Sequence, residues 1–216
     1  MSDSSDTYVE KRVSVRRYGT IGRSSKLLVP VPGITNWQNP KDVTHRLHVL
    51  AAKAMTQMAE AIKRDLDIEL KLASAWRPHR WKSLEHYEAT IRKRFPKGDG
   101  RKWLAYNSPH ETGLAMDIGV GGLWPSKSTR KAQRKQPLHA WLVEHAYEYG
   151  WHPYKAEPWH WEYPVSLEAF SSGQIGPDDT GPPEEMVSFG HNEDEEVIEA
   201  EDIAEFSDDV EDAPTS

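Results

Sequence analysis

Ser108-Pro109-His110-Glu111-Thr112-Gly113-Leu114-Ala115-Met116-Asp117-Ile118-Gly119 is the stretch on which the reading of this chain turns. It sets an imidazole and two carboxylates, Glu111 and Asp117, in a run that is otherwise largely apolar or glycine-bearing. A second stretch, Glu157-Pro158-Trp159-His160-Trp161-Glu162-Tyr163, adds another imidazole and two more carboxylates. A catalytic zinc site needs three nitrogen or oxygen ligands and one open position. His110, Asp117 and His160 meet that need, and Glu157 stands near the last of them as a candidate base. The second stretch is not a helical His-Glu-x-x-His site, because Glu157 precedes its only histidine and Pro158 disfavours a helix interior. Glu157 must therefore reach the site through a turn or bulge that leads into a strand.

Outward from these motifs, the pattern alternates helices and short strands. Leu114–Ile118 reads as a strand ending at glycines, and Trp159–Tyr163 as a final short strand. Between them lie a polar, basic loop, Ser126–Lys135, and a helix opened by Pro137 and stopped by Gly150. Upstream, Asn39-Pro40 reads as a helix start, with an apolar stripe from Leu47 to Ile62 carrying the helix to about Asp65. Ile68–Ala75 alternates like a half-buried strand, and Trp81 to Arg94 reads as a helix. A short strand is expected near Lys26–Val29. The expected organisation is an arm over 1–33, a domain over 34–168 that carries both motifs and the candidate zinc site, a Gly/Ser/Pro linker over 169–183 and an acidic, disordered tail over 184–216. Within the tail, Ile203, Phe206 and Val210 have the spacing of a short amphipathic segment that could dock on a partner or on the domain itself.

Composition narrows the chemistry. The 216 residues include no cysteine, which excludes disulfides, thiolate zinc sites and a cysteine nucleophile. Residues 171–216 hold 16 acidic side chains and no Lys or Arg, while the preceding 170 residues hold 27 basic and 18 acidic ones, a formal +9. A basic body suits an anionic partner. No recognised nucleic-acid motif accompanies that charge, so nucleic acid is not the expected partner. No apolar run is long enough to span a membrane. The polar start, MSDSSDTYVEKR, lacks the apolar centre of a secretory signal. Synthesis in the cytoplasm is expected, with any export by another route. His45, His48, His79, His86, His139, His145, His152 and His191 match no metal motif and read as packed or surface histidines. Glu111 and Glu162 read as satisfied polar neighbours, Glu162 being also placed to hold a ligand histidine.

The joint pattern Ser-x-His-x-x-Gly-x-Ala-x-Asp followed by Glu-x-Trp-His-x-Glu-Tyr resembles the zinc D-alanyl-D-alanine carboxypeptidases. This VanY-like group also includes D-Ala-D-Ala dipeptidases and phage L-alanyl-D-glutamate endolysins. Ser108, His110, Gly113, Ala115 and Asp117, then Glu157, Trp159, His160, Glu162 and Tyr163, carry the resemblance, which covers roughly residues 40–165. Ser74-Ala75-Trp76-Arg77 is similar to the family's Ser-Gly-Tyr-Arg segment, with Ala for Gly and Trp for Tyr. The resemblance implies an α+β domain in which a small antiparallel sheet holds the metal and helices pack on it. It implies one zinc ion with His110, Asp117 and His160 as ligands, Glu157 as catalytic base, and Arg77 near the substrate or its oxyanion. Ser108 is left with two roles, substrate contact or support of the ligand loop. The implied substrate is a peptidoglycan stem peptide, cut either as a D,D-carboxypeptidase or as an L-Ala-D-Glu-type endopeptidase. The resemblance also implies action on the cell wall after lysis or delivery, in a phage or secretion-machine setting. The basic loop fits either a cap or an open rim. The alternative is a zinc-stabilised wall-binding module without turnover.

Overall fold

The computed structural model describes residues 11–35, 41–98, 100–102, 104–154, 156–182 and 187–189. Among these residues, six strands form one sheet in the order β3-β2-β4-β5-β7-β6. Strands β2 (Leu28–Ile34) and β3 (Asp42–His48) make an antiparallel hairpin, paired from Leu28 opposite His48 to Ile34 opposite Asp42. The short β4 (Leu72–Ser74) runs parallel to β2, meeting it at Gly33 and Leu72. It then pairs antiparallel with β5 (Ala115–Ile118), which pairs antiparallel with β7 (Glu157–Glu162) and through it with β6 (His152–Tyr154). The sheet is thus mixed rather than antiparallel as expected. The chain leaves β3 through a long helix and returns on the far side of β2, and a connection of that length permits β4 to lie parallel to β2, where a tight hairpin would hold the neighbours antiparallel.

That helix, α1, runs Val49–Leu66 and buries Ala51, Ala52, Ala54, Met55, Met58, Ala61 and Ile62 against the sheet. The expected start at Asn39-Pro40 lies outside the described residues, and the stretch just after it, Asp42–His48, is strand. Pairing with β2 decides this, since Val43 and Thr44 are β-branched residues that fit a pleated surface. The helix ends at Asp67 in the left-handed conformation, φ 57°, its N–H donating to the Lys63 carbonyl. Ile68–Lys71, expected to begin a longer strand, have no ladder, so only Leu72–Ser74 do.

Helix α4 (Pro137–His145) continues as a 3-10 turn over Ala146–Tyr149 and stops at Gly150, φ 79°, as the sequence suggested. Its Leu138, Trp141 and Leu142 share one core with α1 and with β5, which is buried at all four residues. Trp151 and Trp161 are fully buried beside it. Helix α2 (Leu84–Arg94) organises a separate small cluster of Trp81, Tyr87 and Ile91. The stretch read as a basic loop contains a one-turn helix, α3 (Arg130–Gln133), anchored where Gln133 Nε2 donates to the Trp124 carbonyl at 3.1 Å.

Two features cross or lie beyond the domain boundary drawn from composition. Helix α5 (Leu167–Ser172) occupies the start of the stretch read as linker, capped by Ser166 and docked through buried Ala169 and the Phe170 ring. Strand β8 (Val187–Phe189) lies within the segment expected to be disordered and pairs antiparallel with β1 (Lys11–Val13). The rest of the acidic tail, with Ile203, Phe206 and Val210, lies outside the described residues.

Candidate metal centre

His110 sits in a 3-10 turn, Pro109–Thr112, whose ends are both fixed by local chemistry. Ser108 caps the turn, its Oγ accepting from the His110 N–H at 3.4 Å, and Glu111 Oε1 accepts from the Ser108 N–H at 3.1 Å. The turn closes at Gly113 with φ 71°. A Cβ there would lie 2.9 Å from the His48 backbone nitrogen, so the position admits only glycine without rearrangement. Beyond Gly113 the chain enters β5, where Asp117 faces His160 of β7 directly across the ladder. One potential ligand atom from each of His110, Asp117 and His160 falls within 4.8 Å of the others.

The two rings are held in complementary ways. His110 Nδ1 lies 2.7 Å from the Ala75 carbonyl, which only accepts, so this nitrogen carries the proton. Its Nε2 faces Asp117 Oδ2 at 3.3 Å. His160 is reversed: Nε2 lies 3.1 Å from Glu162 Oε1, and Nδ1 lies 2.9 Å from Asp117 Oδ1. In each ring the outer nitrogen is tied to a protein acceptor and the inner one points at the shared carboxylate. Outer hydrogen bonds of this kind fix tautomer and orientation in metal-binding histidines.

Electrostatics follow from this enclosure. Burial lowers the His110 pKa below its usual value. Burial alone would raise Asp117, but the charge and hydrogen bonds of His110 and His160 hold its carboxyl well below the usual range. Burial also opposes charge on His160, yet hydrogen bonds to Asp117 and Glu162 outweigh it and push the imidazole up to about 10. A buried carboxylate facing two imidazoles is a site that demands positive charge. Two imidazoles and one carboxylate, without sulfur, form the donor set of a catalytic zinc site. The residues therefore fit a divalent ion of that type.

Glu157 stands beside this triad without belonging to it. It begins β7, three residues before His160, and an unbroken strand would turn the two to opposite faces. The register with β6 shifts in this interval: Pro153 faces Trp161, but Tyr154 faces Glu157. An irregularity of this kind is what a turn or bulge leading Glu157 into the strand entails. Burial raises the Glu157 carboxyl, while the His160 charge, a hydrogen bond from the Trp159 side chain and the Arg77 charge pull it down and Asp117 adds to the rise, for a net upward shift. Arg77 is exposed, its backbone N–H donating to the His110 carbonyl at 3.3 Å. It lines a cleft of about 560 Å³ shared with His45, Ser74, Asp117, Trp124 and Pro125. The basic stretch following Pro125 thus begins at the wall of the cleft, a placement its polar composition did not signal.

A sequence model of the VanY family, described as D-alanyl-D-alanine carboxypeptidase, matches residues 44–166, more than half the chain. The chain belongs to the VanY family. The VanY match takes in both motifs and Arg77, and leaves out the segment before β3 and helix α5. Among solved structures, the chain is similar to the LdcB LD-carboxypeptidase, with 25% identity over 68% of this chain and 72% of that one and a TM-score of 0.47. It is similar to VanYB, solved in complex with D-alanine-D-alanine, with 22% identity, 74% and 88% coverage and a TM-score of 0.43. DacB from Streptococcus pneumoniae D39 shows 17% identity, 72% and 91% coverage and a TM-score of 0.31. No curated protein matched the chain. Around the VanY motifs, sequence reading missed the Ala75 carbonyl and the contacts of the N-terminal segment, because backbone groups have no residue signature.

Proposed function

We propose that this VanY-family chain is a zinc peptidase that hydrolyses a peptide bond in peptidoglycan stem peptides. The observation that carries the reading is a buried triad with its inner donors converging, beside a carboxylate that is not part of it. A site built only to stabilise the fold has no use for that extra carboxylate. Zinc held by His110, Asp117 and His160 would supply Lewis acidity for attack by water on a peptide carbonyl. Glu157 accepts the proton of the attacking water, and its upward shift makes it a better acceptor than an exposed carboxylate. The carbon–oxygen bond forms, the carbon–nitrogen bond breaks, and Glu157 returns the proton to the leaving amine. Arg77, at the cleft, holds the carbonyl oxygen as negative charge develops or binds a substrate carboxylate. Ser108 supports the ligand turn, the role for which it has a hydrogen bond. The formal +9 of the first 170 residues favours encounter with an anionic wall, an attraction that salt weakens.

The test is digestion of purified peptidoglycan by the zinc-loaded protein, with products identified by mass spectrometry and Glu157→Ala as control. Release of a terminal D-Ala identifies a carboxypeptidase, and a cut within the stem identifies an endopeptidase. Zinc binding without product from either protein would overturn turnover and favour a wall-binding module.

A further inference from the structure

Residues 14–21 lie outside the stretch matched by the VanY family, yet they touch both ligand-bearing segments. Val15 is fully buried, and its backbone N–H donates to Glu162 Oε2 at 2.6 Å. The other oxygen of that carboxylate is the partner of His160 Nε2 at 3.1 Å. A continuous chain therefore runs from the Val15 N–H through Glu162 to His160 and on to Asp117. At the other end of the segment, the Ile21 N–H donates to the Glu111 carbonyl at 2.9 Å, and Thr20 Oγ1 donates to Glu111 Oε2 at 2.8 Å. Glu111 in turn closes the turn that carries His110. The Ile21 carbonyl accepts from the Trp76 indole at 3.1 Å, next to Ala75, whose carbonyl holds His110 Nδ1. Tyr18 Oη donates to the Val165 carbonyl and accepts from the Val165 N–H at 3.1 Å, fixing the middle of the segment just past β7.

We propose that residues 15–21 form a strap that is a working part of the metal centre, positioning His160 through Glu162 and His110 through Glu111. This rests on the metal-site reading above. Glu162 is only 4% exposed, so it has little water to complete its hydrogen bonds. Its two oxygens meet the Val15 N–H and His160 Nε2, and the strap supplies the first of these. Without the Val15 N–H the carboxylate is left under-satisfied, and the outer tether of His160 is free to turn. These are positioning residues; none of them touches the reacting atoms.

The geometry offers a clean test. Val15 is the first residue of a 3-10 turn, Val15–Tyr18, where proline is tolerated, and Ser14 already has the extended backbone that precedes proline, φ −134° and ψ 113°. Val15→Pro removes the N–H and keeps most of the apolar volume. Val15→Ala keeps the N–H and loses the packing. Zinc affinity is measured by competition with a chromophoric chelator, ligand geometry by the visible spectrum of the Co(II) form, and fold by thermal unfolding of the metal-free protein. The expected result is that Val15→Pro weakens zinc binding about 10–100-fold and alters the cobalt spectrum, the usual size of an outer-contact effect. Val15→Ala lowers the unfolding temperature and leaves affinity and spectrum unchanged. Glu162→Gln combined with Val15→Pro binds no more weakly than Glu162→Gln alone, as expected when two groups act in series. Thr20→Val, at an exposed position, tests the other end of the strap even if the proline variant does not fold, and weakens zinc binding without lowering the unfolding temperature. Equal affinity and spectrum in wild type, Val15→Pro and Thr20→Val overturn the strap. A wild-type protein that binds no zinc overturns the metal-site reading itself, and the strap with it.

Discussion

At the floor of the centre, His110, Asp117 and His160 are 2%, 8% and 5% exposed, and both rings are tied through their outer nitrogens. At the mouth, Arg77 is exposed and Glu157 is half-buried. The floor rests on backbone ladders and a glycine-closed turn, whereas the mouth is made from a strand bulge, a loop and the cleft wall at Trp124 and Pro125. The difference separates two tasks. A charge held in a dry interior needs partners fixed in advance, because reorganisation there is costly. A group that must meet a flexible peptide and move a proton needs access, and so accepts looser support.

The largest expected effect comes from the floor. His160→Ala should abolish zinc binding and turnover together. It also leaves Asp117 and Glu162 buried without their shared partner, which should destabilise the metal-free protein by about 3–5 kcal/mol. Zinc titration and chemical denaturation read these two losses. Retained zinc affinity would mean that the floor is not the metal site. Glu157→Gln should lower kcat by about 10²–10⁴-fold while leaving zinc affinity intact, because it removes a proton acceptor and no ligand. Loss of zinc binding in this variant would break the division between floor and mouth. Arg77→Ala should cost about 10²–10³-fold in kcat/KM on stem peptides. Its stability should change by no more than about 0.5 kcal/mol, as for other exposed substitutions. A large loss of stability would move Arg77 from the mouth to the floor.

The same contrast explains what could be read from the sequence. Floor residues have fixed chemical identities and spacings, so His110, Asp117 and His160 could be picked out together and are found together. A turn or bulge before His160 was legible from the order of Glu157 and His160 and from Pro158 between them, and the register of β7 against β6 shifts there. Sheet topology was not legible, because nothing in Leu72–Ser74 announces a parallel partner contributed by Gly33. Asp42–His48 was read as helix because Asn39-Pro40 reads as a helix start and an apolar stripe follows from Leu47, and long-range pairing with β2 overrode that local signal. The strap was invisible for a simpler reason: its decisive group is the backbone N–H of Val15, and every residue but proline has one.

Behind the floor, His48 allows the smallest of these effects to be isolated. It is fully buried, its Nε2 lies 3.0 Å from the Phe170 carbonyl, and its Nδ1 accepts from the Leu50 N–H at 3.3 Å. Because the Phe170 carbonyl only accepts, Nε2 carries the proton and Nδ1 is the bare acceptor of a neutral ring. Protonation would set two donors, Nδ1–H and Leu50 N–H, against each other. Burial accordingly lowers the His48 pKa below 6.5. The unfolded chain then takes up a proton before the native one does. Stability from this group is present above pH 6.5 and is lost as pH falls below it, by at most about 1.4 kcal/mol per pH unit. His160 has the opposite sign in the metal-free protein: held up to about 10, it stabilises fully below 6.5 and loses that contribution as pH rises through 10. Comparing wild type with His48→Gln cancels the His160 contribution, since both proteins carry it. Glutamine keeps a donor for Phe170 but does not titrate. Urea unfolding of the metal-free proteins at pH 7.5, 6 and 5 should show a shallower loss of stability in acid for His48→Gln. Parallel curves would mean that the native ring accepts its proton as readily as the unfolded one, and that the packing of α5 on His48 opens without cost.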